Sequence, residues 1–194
     1  MYYFLANQNL FDYYNFYKNL EDDIIYQIFE IVSQLNFEES STASQKKTTR
    51  KSQIKWIHSS KKTNFLFSFL ENLVNQANLS HFNFDIISTS ESLQYTEYKG
   101  SDYGQYKWHI DSFEPAAPPY RKLSLTIQLS DPNEYEGGDL EISIPQPEKN
   151  LILKAPKEKG KIIVFPSYLY HRITPVTKGT RKSLVWWVGG TPFR

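Results

Sequence analysis

Cysteine is absent from this chain, and its absence excludes disulfide frameworks, thiolate zinc sites, iron–sulfur clusters and cysteine nucleophiles. Histidine is scarce, since the 194 residues include only His58, His81, His109 and His171. Any metal ion held by this chain must therefore be bound through histidine, aspartate or glutamate. Few combinations of residues can form such a site.

Charge of one sign is not in excess either, because 22 Lys+Arg stand against 21 Asp+Glu. This balance gives no overall preference for nucleic acid or an anionic membrane. No segment approaches the roughly 18 apolar residues of a membrane span. The first ten residues lack the basic region and apolar run of a signal peptide. We therefore predict a soluble, cytoplasmic protein with no nucleic-acid and no membrane partner.

Hydrophobic residues make up 40% of the chain and aromatic residues 16%, which is enough to bury a core and argues against disorder. The length suits one domain spanning residues 1–194. Within it, residues 1–84 are predicted to form helical support with a mobile loop, and residues 85–194 a core of β-strands.

The predicted helices lie in the first part of the chain. Acidic residues follow Asn19 and precede apolar residues at helical spacing up to Leu35, which predicts a first helix. A second helix is predicted over residues 63–77. Between them, residues 38–52 are rich in Ser, Thr and Lys, and we expect a mobile loop there.

From about residue 85 the pattern changes to short β-branched and aromatic runs separated by Pro and Gly, which favours a sandwich or double-sheet jelly roll. The predicted strands cover residues 93–98, 106–110, 123–129, 140–144, 151–153, 162–165, 168–174 and 183–188. The fold class is thus mainly β with N-terminal helices (α+β).

The strand at residues 123–129 alternates between two kinds of face. Leucines and an isoleucine occupy one face, and Ser124, Thr126 and Gln128 occupy the other. The polar face could be a solvated outer surface. Alternatively it lines an internal cavity while the apolar face packs beneath the helices.

Three features carry chemistry. His109 and Asp111 project from the same face of an extended strand and can converge on one ion, although a surface polar pair has the same pattern. His171 lies in an aromatic and aliphatic run, where a core histidine without a metal is the common case. Arg181 opens an apolar strand whose alternation puts Arg181, Ser183, Val185 and Trp187 on one face. If it is buried, it needs a carboxylate, although an exposed arginine at a strand end has the same pattern.

Taken together, two histidines and one carboxylate form the ligand set of non-heme Fe(II) oxygenases, which leaves positions open for co-substrate and oxygen. An arginine ten residues after the second histidine could hold a dicarboxylate co-substrate.

At this point the sequence resembles the Fe(II)/2-oxoglutarate-dependent dioxygenases, within them the prolyl 4-hydroxylase-like group with its bacterial and phage PKHD-type members. The segments that carry the resemblance are residues 94–98 (QYTEY), 106–111 (YKWHID), 121–125 (RKLSL), 135–141 (YEGGDLE), 165–167 (FPS), His171 and 178–184 (KGTRKSL). Residues 50–57 (RKSQIKWI) also look like the entry to the core in such relatives.

The resemblance implies a double-stranded β-helix (jelly roll or cupin-like) and a role for each of the matching residues. It makes His109, Asp111 and His171 the iron ligands and assigns Arg181 to the C5 carboxylate of 2-oxoglutarate. Tyr98, Ser183 and Trp187 are implied to line the co-substrate site, with Trp187 closing it behind Arg181. Gln128 stands where relatives often have a tyrosine. Arg50 and Trp56 are implied substrate contacts.

The activity that the resemblance implies is hydroxylation of a substrate carbon with Fe(II), 2-oxoglutarate and O2, giving succinate and CO2, with L-ascorbate as an accessory reductant. A prolyl residue of a peptide or protein is the first substrate class. A free amino acid or another small molecule is an alternative, and so is a non-catalytic, cupin-like metal-binding module.

Two other features of the sequence allow different functions. The basic stretch of residues 46–62 could contact nucleic acid, or could be a solvated loop or a lid over substrate, and we favour the solvated loop. Paired carboxylates among Glu91, Glu97, Asp102 and Glu114 would suit glycosidase chemistry, but nothing in the sequence indicates their separation.

Overall fold

A computed structural model describes residues 15–17, 20–39, 49–87, 91–112 and 120–191. Most of the predicted loop at residues 38–52, together with Lys46, Lys47 and Glu114, lies outside these described residues. None of the helices in the described part of the chain combines the length and apolarity needed to cross a membrane.

The described residues form thirteen strands and two α-helices, and antiparallel pairing throughout confirms the predicted mainly β fold with N-terminal helices. The helices are α1 (Asp22–Ser33) and α2 (Asn64–Ala77), and a π-helical turn follows α2 at Asn78–Phe82. The strands are β1 (Asn15–Tyr17), β2 (Glu38–Glu39), β3 (Arg50–Lys51), β4 (Gln53–Ile57), β5 (Leu93–Lys99), β6 (Gln105–His109), β7 (Tyr120–Gln128), β8 (Tyr135–Gly137), β9 (Leu140–Ile144), β10 (Leu151–Lys154), β11 (Ile162–Pro166), β12 (Tyr170–Ile173) and β13 (Val176–Gly190).

Two antiparallel sheets face each other. In the described residues the larger sheet has the order β1-β11-β7-β13-β5-β4-β2, with β8 paired to β13. The smaller sheet has the order β10-β9-β12-β6-β3. Apart from the pairs β4–β5 and β9–β10, neighbours in each sheet are not consecutive in sequence, as in a jelly roll whose chain alternates between two sheets.

The helices cover the outer face of the larger sheet. The buried side of α2, including Leu66 and Leu70, packs in one apolar cluster with Leu125 and Ile127 of β7 and with Trp186 of β13. The alternate residues of β7 point between the sheets, where Thr126 lines a cavity. The hypothesis that the polar face of residues 123–129 is internal is thus confirmed.

Two regions differ from the sequence prediction. Residues 53–57 form β4 of the larger sheet, where we predicted helical support and loop. Lys55 gives this strand a polar pattern, but its Nζ is buried and donates to the Val32 carbonyl at 2.9 Å. The last strand begins at Val176 rather than residue 183, because its polar first half pairs with β8 and β5.

Gly179 makes the pairing of β13 with β8 possible. Its φ is +69°, and a Cβ at this position would stand 2.0 Å from the carbonyl oxygen of Glu134. Only glycine accepts both the left-handed backbone and this close approach. Two residues further on, Arg181 enters the space between the sheets.

Candidate metal centre

A cavity of about 200 Å³ lies between the two sheets. Its charged lining residues are Arg50, Arg121, Arg181 and Asp111, and its two histidines are His109 and His171. Aliphatic and aromatic side chains from both sheets complete the wall. The sequence-predicted residues Trp56, Tyr98, Ser183 and Trp187 are among the lining residues.

Strand pairing brings the two histidines together. His109 ends β6 and stands directly opposite His171 of β12, so both side chains project from the same face of the smaller sheet. Asp111 follows β6, where its backbone N–H donates to the Ser167 carbonyl at 2.9 Å. One ligand atom from each of the three residues lies within 4.8 Å of the others, and all three residues are buried.

Hydrogen bonds orient each side chain toward the common centre. His109 Nδ1 lies 2.8 Å from the Lys107 carbonyl and His171 Nδ1 lies 2.9 Å from the Leu169 carbonyl. A carbonyl accepts only, so both Nδ1 atoms carry hydrogen and both Nε2 atoms are left as donors to a metal. The Ser124 hydroxyl donates to Asp111 Oδ2 at 2.6 Å.

The protonation states also suit a metal. Burial lowers the pKa of His109 to about 3, with the nearby His171 adding to the effect, so the imidazole is neutral at pH 7. Burial disfavours the charged form of Asp111, but His171 and the Ser124 hydroxyl outweigh it and lower the pKa of the carboxyl group. The Asp111 carboxylate in turn raises the pKa of His171 despite burial. Asp111 is therefore ionised and lies 3.4 Å from His171 Nε2.

Arg181 occupies the opposite end of the cavity from Asp111. The residue is 1% exposed, and its guanidinium donates to Gln128 Oε1 at 2.9 Å and to Ser183 Oγ at 3.2 Å. No carboxylate of the described residues lies within 4.0 Å of it, and its Nε has no hydrogen-bond partner. A buried guanidinium without an anion is costly, so this end of the cavity suits a ligand that ends in a carboxylate.

Gln128 is held in one orientation. Its Nε2 donates to the Pro156 carbonyl at 3.0 Å, which turns Oε1 toward Arg181. The Tyr98 ring lies 5.6 Å from the guanidinium carbon. Tyr135 of β8 also contacts Arg181. Tyr135 lies in the YEGGDLE segment, but its approach to Arg181 depends on the pairing of β8 with β13, which the sequence does not indicate.

Trp187 lies at the metal end of the cavity rather than behind Arg181. It pairs with Ser124, whereas Ser183 pairs with Gln128. Trp187 is six positions after Arg181, which corresponds to roughly 20 Å of strand. Its ring packs 6.4 Å from that of Trp56. Trp187 and Trp56 therefore form the wall beside the metal centre.

Two supporting residues were not identified from the sequence. Tyr106 stacks on His109 at 3.5 Å between ring centroids with the planes 17° apart, and Ser124 fixes the Asp111 carboxylate. Tyr106 lies near His109 in sequence, which offered a signal. Ser124 had only its place on the polar face of its strand.

The other histidines, and Glu91 and Glu97, make contacts that do not involve the three candidate ligands. His58 Nδ1 lies 2.7 Å from Ser92 Oγ, and His81 lies beside Phe82. Glu91 pairs with Arg121, and Glu97 accepts a hydrogen bond from Tyr95 at 2.7 Å. Within the described ranges, His109, Asp111 and His171 are the one group of this kind that could hold a metal.

A jelly-roll fold with two histidines and a carboxylate in the cavity between its sheets defines the class of non-heme Fe(II) enzymes with this facial ligand set. Residues 93–189 match the family model described as the 2OG-Fe(II) oxygenase superfamily, where 2OG is 2-oxoglutarate. The chain belongs to this superfamily.

Relatives with curated names are similar over part of their length. A PKHD-type hydroxylase from Xylella fastidiosa (strain M12) is 39% identical over 93 residues, which cover 43% of this chain and 39% of that protein. The chain thus matches about two fifths of that relative.

Solved structures share the fold. A Pseudomonas putida prolyl-4-hydroxylase superposes with a TM-score of 0.68 at 17% identity, covering 92% of this chain and 93% of that one. A Trichoplax adhaerens prolyl hydroxylase, solved with a hypoxia inducible factor peptide fragment, gives 0.72 at 18% identity, covering 92% and 84%.

Proposed function

We propose that this chain is an Fe(II)- and 2-oxoglutarate-dependent hydroxylase. His109, Asp111 and His171 would hold the iron, and Arg181 would bind the C5 carboxylate of 2-oxoglutarate. The observation that carries the proposal is the buried guanidinium without a carboxylate, which shares one cavity with the three candidate ligands. We also propose that residues 1–194 form one domain, because both helices pack on the larger sheet.

The donor set fits iron. Two imidazole nitrogens and one carboxylate oxygen are the ligands of non-heme Fe(II), and hydrogen bonds already orient all three side chains. The Asp111 carboxylate is ionised and both Nδ1 atoms carry hydrogen, so the two Nε2 atoms and the carboxylate are the atoms that would bind the metal. Asp111 also occupies the ligand position that would otherwise be open to chloride, which favours hydroxylation over halogenation.

Bound iron with 2-oxoglutarate and O2 would supply the oxidation that couples decarboxylation to succinate and CO2 with hydroxylation of a substrate carbon. The chain's own residues contribute position and exclusion of water. Arg181 would bind the far carboxylate beside Ser183, Gln128 would orient the Arg181 guanidinium, and Tyr98 would cover it. Phe165 and Ile173 supply apolar wall beside the histidines.

The proposed substrate is a prolyl residue of a peptide or protein. Support comes from the prolyl hydroxylases that share the fold and from the PKHD-type relatives. Hydroxylation of a free amino acid or other small molecule is the second candidate, because the same cavity and ligands would serve it. L-ascorbate is proposed as accessory reductant.

The decisive experiment measures succinate formation from 2-oxoglutarate by the purified chain with Fe(II), with and without ascorbate. We expect turnover that requires iron and falls to background in His109→Ala, because a ligand is lost. His58→Ala is the matched control, since His58 lies outside the cavity, and it should keep wild-type turnover. If the metal-bound protein forms no succinate, neither with a substrate nor by uncoupled turnover of 2-oxoglutarate alone, the result would instead indicate a binding module.

Substrate classes can be separated in the same preparation. Proline-containing peptides and free amino acids are screened for a mass gain of one oxygen atom. Gain on peptides alone supports the prolyl-residue proposal, and gain on free amino acids alone supports the second candidate.

Ser124→Ala should weaken metal binding by about 10–100-fold, because outer partners of metal ligands typically contribute that much. The variant loses the hydroxyl that donates to Asp111 Oδ2 at 2.6 Å. Isothermal titration with Mn(II) measures the change. Ser130→Ala is the control, since its buried hydroxyl bonds the Thr180 carbonyl away from the ligands. If Ser124→Ala and Ser130→Ala bind Mn(II) with the same affinity, Ser124 does not support the metal site.

A further inference from the structure

Arg50 stands at the metal end of the cavity. It lies on β3, opposite Tyr106 of β6, and its guanidinium carbon is 4.9 Å from the centre of the Tyr106 ring. That ring stacks directly on His109. Arg50 is half-buried and lines the cavity, so its charge is close to the candidate metal ligands.

Arg50 donates its hydrogen bonds to neutral side chains. Its Nη2 donates to Gln94 Oε1 at 2.7 Å and to Thr96 Oγ1 at 3.3 Å, and its Nε donates to Ser52 Oγ at 2.8 Å. Neutral acceptors hold the guanidinium in place without cancelling its charge. In the described part of the chain, no carboxylate lies within ion-pairing distance of Arg50.

Arg121 provides the contrast within the same cavity. Glu91 accepts from Arg121 Nη2 at 2.6 Å and from its Nε at 2.8 Å, so this guanidinium already has an anion. The charge of Arg121 is therefore neutralised in place. Of the two arginines near the metal end, Arg50 is the one that keeps a free positive charge.

Arg50 and Arg181 lie at separate positions along one strand face. Arg50 contacts Gln94 and Thr96 of β5, while Tyr98 of the same strand covers Arg181. Gln94 and Tyr98 are separated by roughly 13 Å of strand. Thr96, the nearer of the two partners, is two residues from Tyr98, or roughly 7 Å. Arg50 is therefore beside the path of the co-substrate between Arg181 and the metal ligands, and it is the less buried of the two arginines.

The charged groups of the cavity sum to one net positive charge when the proposed metal and co-substrate are included. Glu91 cancels Arg121, and Asp111 offsets Arg181. Under the proposed function, a divalent metal and a dianionic co-substrate cancel each other. The remaining positive charge is that of Arg50, where only the substrate is still to be accommodated.

We propose that Arg50 binds a carboxylate of the substrate and thereby selects acidic substrates. The carboxylate is that of a free amino acid or that of an acidic side chain next to the oxidised residue of a peptide. This inference rests on the proposed function and adds the substrate's charge to it. Arg50 is then a specificity-determining residue.

The test compares acids with their amides. Binding of L-proline and L-prolinamide, and of acetyl-Gly-Pro-Glu-amide and acetyl-Gly-Pro-Gln-amide, is measured by calorimetry on protein loaded with Mn(II) and 2-oxoglutarate without oxygen. We expect wild type to bind the acid of at least one pair about tenfold more tightly, as a charge-assisted hydrogen bond provides. The pair that responds identifies the source of the carboxylate.

Three variants complete the design. Arg50→Gln should lose the preference for the acid, and Arg50→Lys should restore part of it. Lys51→Gln removes a neighbouring charge on the exposed side of β3 and should keep the full preference. Melting temperatures of all variants verify that they are folded.

The remaining outcomes overturn the inference. It is wrong if neither pair shows a preference, or if the preference survives in Arg50→Gln. It is also wrong if Arg50→Gln weakens binding of 2-oxoglutarate instead, which would assign Arg50 to the co-substrate. Failure of the proposed function is distinguishable, since it appears as absent succinate formation in wild type while these binding measurements need no turnover.

Discussion

Asp111→Ala is expected to abolish turnover and to weaken metal binding by more than about a hundredfold, because loss of an outer partner alone costs 10–100-fold. The substitution removes the one carboxylate among the three candidate ligands. It also leaves His109 and His171, whose ring centroids are 4.1 Å apart, without the anion between them. Titration with Mn(II) and the succinate assay measure both effects.

The control for this prediction is Asp102→Asn, which changes an exposed aspartate outside the cavity. It should keep wild-type affinity and turnover. Asp111→Ala protein that is folded and still binds Mn(II) with wild-type affinity would show that Asp111 is not a ligand.

Arg181→Met should reduce the affinity for 2-oxoglutarate by about 30-fold or more, because truncating one partner of a buried charge pair costs ~2–5 kcal/mol. The same variant should keep or raise the melting temperature of the metal-free protein. Burial lowers the pKa of the Arg181 guanidinium, which reflects the cost of a charged group without an anion. An apolar side chain of similar length removes that cost.

Calorimetry with 2-oxoglutarate on Mn(II)-loaded protein measures the first effect, and thermal unfolding of metal-free protein the second. Arg172→Met is the matched control, because Arg172 pairs with Glu141 at 2.7 Å and does not line the cavity. It should keep co-substrate affinity and gain no stability. An Arg181→Met variant with unchanged affinity would exclude the proposed role of Arg181.

Short-range patterns predicted much of this molecule. The alternation at residues 123–129 and the shared face of Arg181, Ser183 and Trp187 follow from the two-residue period of a strand, so the lining of the cavity could be anticipated. The pairing of His109 with His171 could not be derived from periodicity, because it depends on β6 and β12 being neighbours. In the sequence, the proximity of His109 and His171 was suggested only by their combination with Asp111 and by the family resemblance.

The features that the sequence did not predict depend on contacts between distant segments. Strand β4 was not predicted because it contains Lys55, whose buried amine donates to a carbonyl near the end of α1. Tyr135 reaches Arg181 only through the pairing of β8 with β13. The neutral setting of Arg50 arises from Gln94 and Thr96, which lie on a strand far along the chain. No local pattern carries this information.

Strand β7 joins both ends of the cavity. Ser124 holds the metal-side carboxylate and Gln128 holds Arg181, while Leu125 and Ile127 are anchored among the helices. Since alternate residues face opposite sides, the distance between the two ends can change only in increments of two residues, about 6–7 Å each. The proposed centre therefore selects the chain length of its keto acid. A diacid one methylene longer would need a separation between the two ends that no shift of two residues provides.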